Sequence, residues 1–136
     1  MAAGVDESRL EEYREQYERD PNSLVFALLA EAYRRRGQLD EAEEVCANGL
    51  KTHPAYVTGH LVMGDILIDR RRLEQAEKEF KEVLRLDPNN PVGRSCLARI
   101  HLARGDPDRA IEQLELVLFL YPSSGGANGC QGGGTQ

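Results

Sequence analysis

The chain has 136 residues, of which 40% are apolar and 29% charged, and its formal net charge is −6. This length allows one domain or a short series of repeats, and the apolar fraction argues against a disordered chain. The acidic balance disfavours general binding to nucleic acid or to anionic membranes, because phosphate groups repel it.

The N-terminal residues, the most apolar stretch and the cysteines indicate the cellular compartment in which we expect the protein. The opening residues, MAAGVDESRL, lack the basic and apolar segments of a secretory signal. The most apolar stretch, AIEQLELVLFLYP, is too short to cross a bilayer and carries two glutamates. Cys46, Cys96 and Cys130 are an odd number of cysteines, which favours free thiols. We therefore expect a cytoplasmic protein without membrane insertion.

The first predicted element is an amphipathic helix over residues 6–19. Leu10, Tyr13 and Tyr17 lie on one face of it, and Pro21 follows its end. We interpret residues 1–22 as a leader and a covering helix for the segment that follows.

A period of 34 residues begins after this helix. Four kinds of residue recur at that interval, and a fixed period of this size is typical of stacked helical hairpins. The series are Ala42, Ala76 and Ala110; Arg36, Arg70 and Arg104; Leu50, Leu84 and Leu118; and Pro54, Pro88 and Pro122. We place the repeats at residues 23–56, 57–90 and 91–122, and expect a flexible, Gly-rich tail at 123–136.

Each repeat is predicted to contain two helices. In the first repeat, two apolar stripes with helical spacing are separated by Gly37, which suits the left-handed turn at a helix end. The stripes are Val25, Leu28, Leu29, Ala32 and Tyr33, then Leu39, Ala42, Val45, Cys46 and Leu50. The recurring alanines are expected where the two helices cross, since a small side chain permits close approach.

The turns of the other two repeats differ from each other. The third repeat has Gly105 at the break, Asp106 as a helix N-cap and Pro107 at the first helical position. The second repeat has Arg71 where the others have glycine. That turn requires either a left-handed arginine, at a steric cost, or a different geometry.

The residues at these positions resemble the tetratricopeptide repeat (TPR) family over residues 23–122. The resemblance implies an all-α, right-handed superhelix of stacked antiparallel helix pairs, a TPR-type solenoid whose inner groove holds peptides or partner helices. The matching residues are Leu29, Ala30, Tyr33, Ala42 and Pro54; Met63, Gly64, Leu67, Ala76, Phe80 and Pro88; and Leu97, Ala98, Ala110, Leu114 and Pro122.

Some positions depart from the family pattern. The bulky aromatic near the start of each repeat is present only as Phe26, and His60 and Arg94 take its place later. Cys46 stands where an aromatic is common and Gly49 where alanine is common. We expect these departures to weaken the local packing.

No residue pattern points to catalysis, a metal or a cofactor. His53, His60 and His101 are scattered, and no His or Cys pair has metal-ligand spacing. The arginine runs at 34–36 and 70–72 have two interpretations: an anion-binding stripe, or cations favoured by the dipole at helix C-termini. The dipole interpretation fits the series at Arg36, Arg70 and Arg104 better.

The resemblance also implies which residues line the groove, because one face of each first helix does so in TPR proteins. These residues are Leu24, Ala27, Glu31, Arg34 and Arg35; Thr58, Leu61, Asp65, Ile68 and Asp69; and Val92, Ser95, Arg99, Leu102 and Ala103. At the positions of the family's carboxylate clamp, only Arg99 suits a C-terminal carboxylate, while Glu31 and Asp65 would repel it.

The remaining groove surface is an apolar strip flanked by charges of both signs. It consists of Leu24, Leu61, Ile68, Val92 and Leu102. Such a strip suits an amphipathic helix or an extended apolar segment of a partner protein. The alternative, to which we give equal weight, is that some of these side chains pack under the leading helix or against neighbours.

The last predicted helix, residues 109–121, is apolar on more than one side. A final helix in a stacked array usually needs a polar outer face or a capping helix. Either the chain is a fragment of a longer array or this face is covered by another molecule, for which a homodimer is the common solution. Leu116, Phe119 and Leu120 are the candidate self-association residues.

The cysteines have no predicted redox role. We expect Cys46 to be a small core residue, Cys96 to be partly accessible and Cys130 to lie in the tail.

The sequence thus predicts a non-catalytic scaffold or adaptor that binds a peptide or helix of a protein partner. The alternative is a TPR docking or regulatory segment of a larger enzyme or of a secretion or assembly machine.

Overall fold

The computed structural model describes residues 2–122, with side chains from Arg9 onward. No strand occurs in this range. Its helices are α1 (Ala2–Arg19), α2 (Val25–Arg35), α3 (Leu39–Thr52), α4 (Val57–Asp69), α5 (Leu73–Leu86), α6 (Pro91–Ala103) and α7 (Pro107–Leu120). The first helix begins at Ala2, before the predicted Asp6. The predicted tail and Cys130 lie outside the described residues.

The helices form two compact units, and the division falls inside α5 between Glu79 and Phe80. In the first unit, α1 packs against α2, and α4 packs against both α2 and α3. The helices α2 and α3 form a hairpin across a short turn. In the second unit, α6 and α7 form the corresponding hairpin. The backbone of α6 also approaches α5, because a Cβ at Gly93 would lie 2.9 Å from Val83 Cγ1.

The turns inside the hairpins share one backbone conformation. Gly37 and Gly105 have φ angles of 81° and 78°, and Arg71 has a φ of 65°. Arg71 therefore makes the left-handed turn rather than a different one. After each of these residues the next amide donates back to the preceding helix, as Arg72 N does to Leu67 O at 2.9 Å.

The predicted caps and spacers are confirmed. Asp106 caps α7, with its carboxylate accepting from Arg109 N at 3.3 Å, and α7 begins at Pro107. Ala42, Ala76 and Ala110 are buried. A small side chain at each position fits the close approach expected of paired helices.

The prediction that Gly49 weakens the packing is wrong. Phe26 is fully buried, and a Cβ at Gly49 would overlap its ring. A Cβ at Gly59 would lie 3.0 Å from Phe26 Cζ. Around the ring, His53 stacks at a centroid distance of 6.2 Å and Tyr56 packs edge-on at 5.8 Å. The glycines make room for the aromatic ring that the first repeat retains.

Two further side chains differ from expectation. Cys96 is 5% exposed, so the prediction of partial access is wrong; Cys46 is fully buried as predicted. Leu28, placed in the apolar stripe of α2, is 51% exposed. Helical spacing identifies the face of a helix that is apolar, but it does not show whether a neighbour covers that face.

None of the helices in residues 2–122 combines the length and the apolar character that crossing a bilayer requires.

Candidate protein-binding surface

One face of α2 and the equivalent face of α4 lie side by side in the first unit. On α4, Leu61, Asp65 and Ile68 follow the spacing i, i+4, i+7, which places them on one side of the helix. On α2, Glu31 and Arg34 occupy the positions one period earlier than Asp65 and Ile68. The helices α2 and α4 are in contact. We call the surface that carries these five residues, together with Leu24, Arg35 and Asp69, the α2–α4 face.

A network of ion pairs joins the two helices of this face. The Arg34 guanidinium donates to both carboxylate oxygens of Glu31, at 2.9 and 2.8 Å, and to Asp69 Oδ2 at 2.9 Å. Arg35 Nε donates to Glu31 Oε2 at 3.0 Å. Arg34 thus binds one carboxylate on its own helix and one on α4, which fixes its position on the surface.

The environment of Glu31 and Arg34 strengthens their charged forms. Burial by itself would raise the pKa of Glu31, but hydrogen bonds from Arg34 and Arg35 and their positive charges lower that pKa below its ordinary value. The hydrogen bond to Glu31 is the main cause that raises the pKa of Arg34, against the opposing effect of burial. Glu31 and Arg34 are therefore ionised at neutral pH.

The apolar members of the face differ in accessibility. Leu24 is exposed, while Leu61 and Ile68 are half-buried. Ala27 is 1% exposed, so its assignment to the lining of the groove is wrong. The other residues of this face are exposed or half-buried: Leu24, Glu31, Arg34, Arg35, Leu61, Asp65, Ile68 and Asp69.

In the second unit, the predicted groove residues lie on α6. Val92 and Leu102 are more than half exposed. Arg99, the one residue that matched a carboxylate clamp, donates to Cys96 Sγ at 3.1 Å.

The arginine runs are held by carboxylates. Arg70 Nη1 lies 2.8 Å from Asp40 Oδ1, and Arg70 Nε lies 3.2 Å from Glu43 Oε1. Arg72 Nη1 lies 3.3 Å from Glu43 Oε2. Both acids belong to α3, so these arginines link neighbouring repeats. Because Arg34 is also paired, the hypothesis of an anion-binding stripe loses its support in this unit. The dipole interpretation omitted these partners, since they are distant in sequence.

Polar side chains replace the aromatic in the later repeats and bind the chain near the preceding proline. His60 Nε2 lies 2.7 Å from Pro54 O, and its Nδ1 lies 2.8 Å from Glu79 Oε1. Arg94, one period later, donates to Pro88 O at 3.1 Å and to Gln113 Oε1 at 3.0 Å. These roles support a structural rather than a catalytic use of His60, and sequence reasoning did not identify them.

The outer side of α7 is a further accessible apolar surface. Phe119 is 81% exposed, Leu116 is 41% exposed and Leu120 is half-buried. Ala110 is the buried residue of this helix. Within residues 9–122, no group of three His, Cys, Asp or Glu side chains is arranged to hold a metal ion.

Comparison with known families identifies the repeats. Two tetratricopeptide repeat family models match the chain, one over residues 27–91 and the other over residues 67–125. The chain belongs to the tetratricopeptide repeat family. This TPR protein therefore has the family's all-α solenoid fold, as the sequence predicted.

Solved structures of similar proteins agree with this TPR fold. The thermophilic TPR protein TTC0263 of Thermus thermophilus superimposes with a TM-score of 0.82 at 27% identity, over 90% of this chain and 69% of that chain. The first TPR of Spaghetti (RPAP3), solved with an HSP90 peptide, gives a TM-score of 0.70 at 25% identity, over 76% of this chain and 83% of that chain.

The similarity to curated proteins covers only part of their length. The human protein O-mannosyl-transferase TMTC2 is 30% identical over 62% of this TPR chain and 11% of its own length. The fold and the family together support a protein-interaction scaffold of the TPR type.

Proposed function

We propose that this TPR chain is a non-catalytic adaptor whose α2–α4 face binds a peptide or an amphipathic helix of a protein partner. The observation that carries the proposal is the accessible aliphatic strip of Leu24, Leu61 and Ile68 beside the fixed ion pairs of Arg34. Apolar side chains supply binding energy, and oriented charges supply specificity. The free thiol of Cys46 supports a reducing, cytoplasmic setting.

The charges of the face define the class of ligand. Three carboxylates, Glu31, Asp65 and Asp69, lie beside two guanidinium groups, Arg34 and Arg35, and the arginines already bind carboxylates. The Spaghetti TPR binds the acidic HSP90 peptide SRMEEVD. Arg34 already binds Glu31 and Asp69, so it presents no unpaired cation to an acidic C-terminus on this face. We infer that the ligand of this face is apolar with neutral or basic flanks.

The test is a selection followed by quantitative binding. A peptide library is panned against the whole chain, and a recovered peptide is labelled and titrated by fluorescence anisotropy. Ile68→Asp should weaken binding by roughly tenfold or more, because it places a charge in the apolar strip. Ile111→Asp is the matched control, since Ile111 is 51% exposed on α7 and does not belong to the α2–α4 face.

Circular dichroism shows whether each variant remains helical. If Ile68→Asp folds and binds the peptide as tightly as the parent chain, the α2–α4 face is not the binding surface. Leu102→Asp, measured separately, reports whether the exposed part of α6 contributes to the same ligand.

We also propose that the chain self-associates through α7. The support is the exposure of Phe119 and Leu116, since large accessible aromatic and aliphatic side chains on one helix favour burial against another molecule. Sedimentation at micromolar concentration should show a dimer, and Phe119→Asp should convert it to a monomer while Ile68→Asp does not. A monomeric parent chain would contradict this proposal.

A second candidate is a docking segment of a larger enzyme or assembly machine. The observation that favours it is the match to TMTC2, of which the chain covers 11%. An antibody raised against the chain separates the candidates on a blot of source cells. A band near 15.2 kDa supports a separate adaptor, and a much larger band supports the docking segment.

A further inference from the structure

An apolar recess, distinct from the surfaces described above, lies between α1 and α2. It is a cleft of about 180 Å³, lined by Arg9, Tyr13, Leu28, Glu31, Ala32 and Arg35. Glu31 and Arg35 also belong to the α2–α4 face, but the apolar lining from Tyr13, Leu28 and Ala32 does not. We call this recess the α1–α2 cleft.

Comparison with the next repeat shows what the cleft lacks. Leu28 and Ala32 stand one period before Val62 and Ile66. Leu28 is 51% exposed, whereas Val62 is 8% exposed and Ile66 is fully buried. Val62 and Ile66 belong to α4, which packs against both α2 and α3. By the same period, a helix lying against α1 and α2 would cover Leu28 and Ala32.

We propose that the α1–α2 cleft docks one amphipathic helix of a partner protein, with aliphatic side chains against Leu28 and Tyr13 and a carboxylate facing Arg35. The docked helix lies against α1 and α2 as α2 lies against α3 and α4. Its apolar side chains follow three- and four-residue spacing, as in other helix-in-groove complexes.

The charge requirement follows from the neighbouring seam. Between α2 and α4, Arg34 donates to Asp69 at 2.9 Å. Arg35 is the residue of α2 that stands one period before Asp69 of α4. At the position where α4 presents the Asp69 carboxylate to α2, α2 therefore presents the Arg35 guanidinium to a helix docked in the cleft. The docked helix would lie against α2 as α2 lies against α4. It therefore needs a carboxylate, to pair with Arg35, at the position where α2 carries Arg34. Arg35 donates its Nε to Glu31, yet its side chain is 67% exposed and lines the cleft. Arg9 adds a second cation to the lining.

This inference is independent of the function proposed for the α2–α4 face. A partner could occupy the cleft, the face or both. Variants of Leu28 act on the cleft and variants of Ile68 on the face, so failure of one proposal is distinguishable from failure of the other.

The probe is the chain's own α2 helix with one charge reversed. Residues 24–37 carrying Arg34→Glu are fused to the end of a helical carrier, and the same fusion with Arg34 retained is the matched control. Circular dichroism establishes the helicity of both fusions before titration, so that absence of binding counts against the proposal. Binding to the whole chain is measured by fluorescence anisotropy.

The acidic helix should bind roughly tenfold more tightly than the arginine helix, because it replaces repulsion at Arg35 by attraction. Leu28→Asp should abolish binding without unfolding the chain, since Leu28 is half exposed. Arg35→Glu should reverse the preference between the two helices, an effect that a purely structural role of Arg35 would not produce. Ile68→Asp should leave the affinity unchanged.

Three results would overturn the proposal. One is no binding of either helix at about 100 µM, a concentration that detects weak complexes. Another is binding that Ile68→Asp removes and Leu28→Asp retains, which would place the helix on the α2–α4 face. The last is sedimentation in which the parent chain is a dimer and Leu28→Asp is a monomer, which would make a second copy of this chain the occupant.

Discussion

The position held by Phe26 in the first repeat is held by His60 and Arg94 in the next two, and the aromatic and polar side chains are stabilised in different ways. Phe26 is apolar and fully buried beside Gly49 and Gly59. One and two periods later, His60 and Arg94 bind the carbonyl groups of Pro54 and Pro88. A repeat position therefore sets where a side chain lies, but either apolar burial or hydrogen bonding can satisfy it.

The two solutions come with different neighbours in the sequence. The positions one and two periods after Gly49 are occupied by Val83 and Val117. Glycine therefore occurs at this position only in the repeat that retains the aromatic. The ring needs that space, because a Cβ at Gly49 would overlap it. Substitutions can show how far stability depends on the apolar solution and how far on the polar one.

Replacing the aromatic should have the largest effect. Phe26→Ala removes a buried ring and leaves a cavity, which should lower the free energy of unfolding by about 3–5 kcal/mol. His60→Ala at the equivalent position removes two hydrogen bonds and should cost about 1–3 kcal/mol. Urea unfolding followed by circular dichroism measures both. Equal losses would show that burial and hydrogen bonding contribute alike at this position.

Filling the glycine should have the next largest effect. Gly49→Ala should lower the free energy of unfolding by about 1–3 kcal/mol, because the overlap with Phe26 outweighs alanine's helix propensity. Asn48→Ala is the matched control on the exposed side of α3 and should change stability by less than about 0.5 kcal/mol.

The combination Phe26→Leu with Gly49→Ala sharpens this test. The double variant should be more stable than the sum of the two single losses predicts, since the smaller side chain relieves the overlap. Strict additivity would mean that the two positions do not compete for the same space.

The left-handed turn between paired helices is a second position at which equivalent residues differ, with glycine in the first repeat and Arg71 in the second. Arg71 adopts a φ of 65°, where Gly37 has a φ of 81°. Arg71→Gly should raise the free energy of unfolding by about 0.5–1 kcal/mol, because glycine avoids the steric cost of the left-handed region. The reciprocal change Gly37→Ala should lower it. An unchanged thermal midpoint for Arg71→Gly would show that the turn stores little strain.

An effect of similar size is expected for the ion pairs of the α2–α4 face. The folded pKa of Glu31 lies below the ordinary value of about 4.5. The stabilisation is therefore complete above that value and is lost as the pH falls through the lower folded pKa. Glu31→Gln should reduce the free energy of unfolding near pH 7 by about 0.5–1 kcal/mol and by less in acid.

Glu11→Gln provides the control for that measurement. Glu11 pairs with Arg14 at 3.0 Å on the exposed side of α1 and should contribute little to stability. A Glu31 variant whose loss of stability is the same at every pH would contradict the role assigned to the pairs.

The candidate site was only partly predictable. Sequence spacing identified the positions of Leu61, Asp65 and Ile68 on one side of α4, because a helix repeats its faces regularly. It did not identify the pairing of Arg34 with Asp69, which are 35 residues apart. Nor did it show that Ala27 is covered, since burial depends on the neighbouring helices.

The sequence by itself determined the local structure of this protein. The 34-residue period, the helix pairs, the left-handed turns at Gly37 and Gly105 and the cap at Asp106 depend on the chemistry of residues close in the chain. Tertiary structure alone decided which apolar side chains are covered. Leu28 and Val62 have equivalent positions in the period, and yet only Val62 is buried, because α4 packs against two helices of the preceding repeat. The exposure of a side chain depends on which helices pack against it, and the sequence period does not specify those helices.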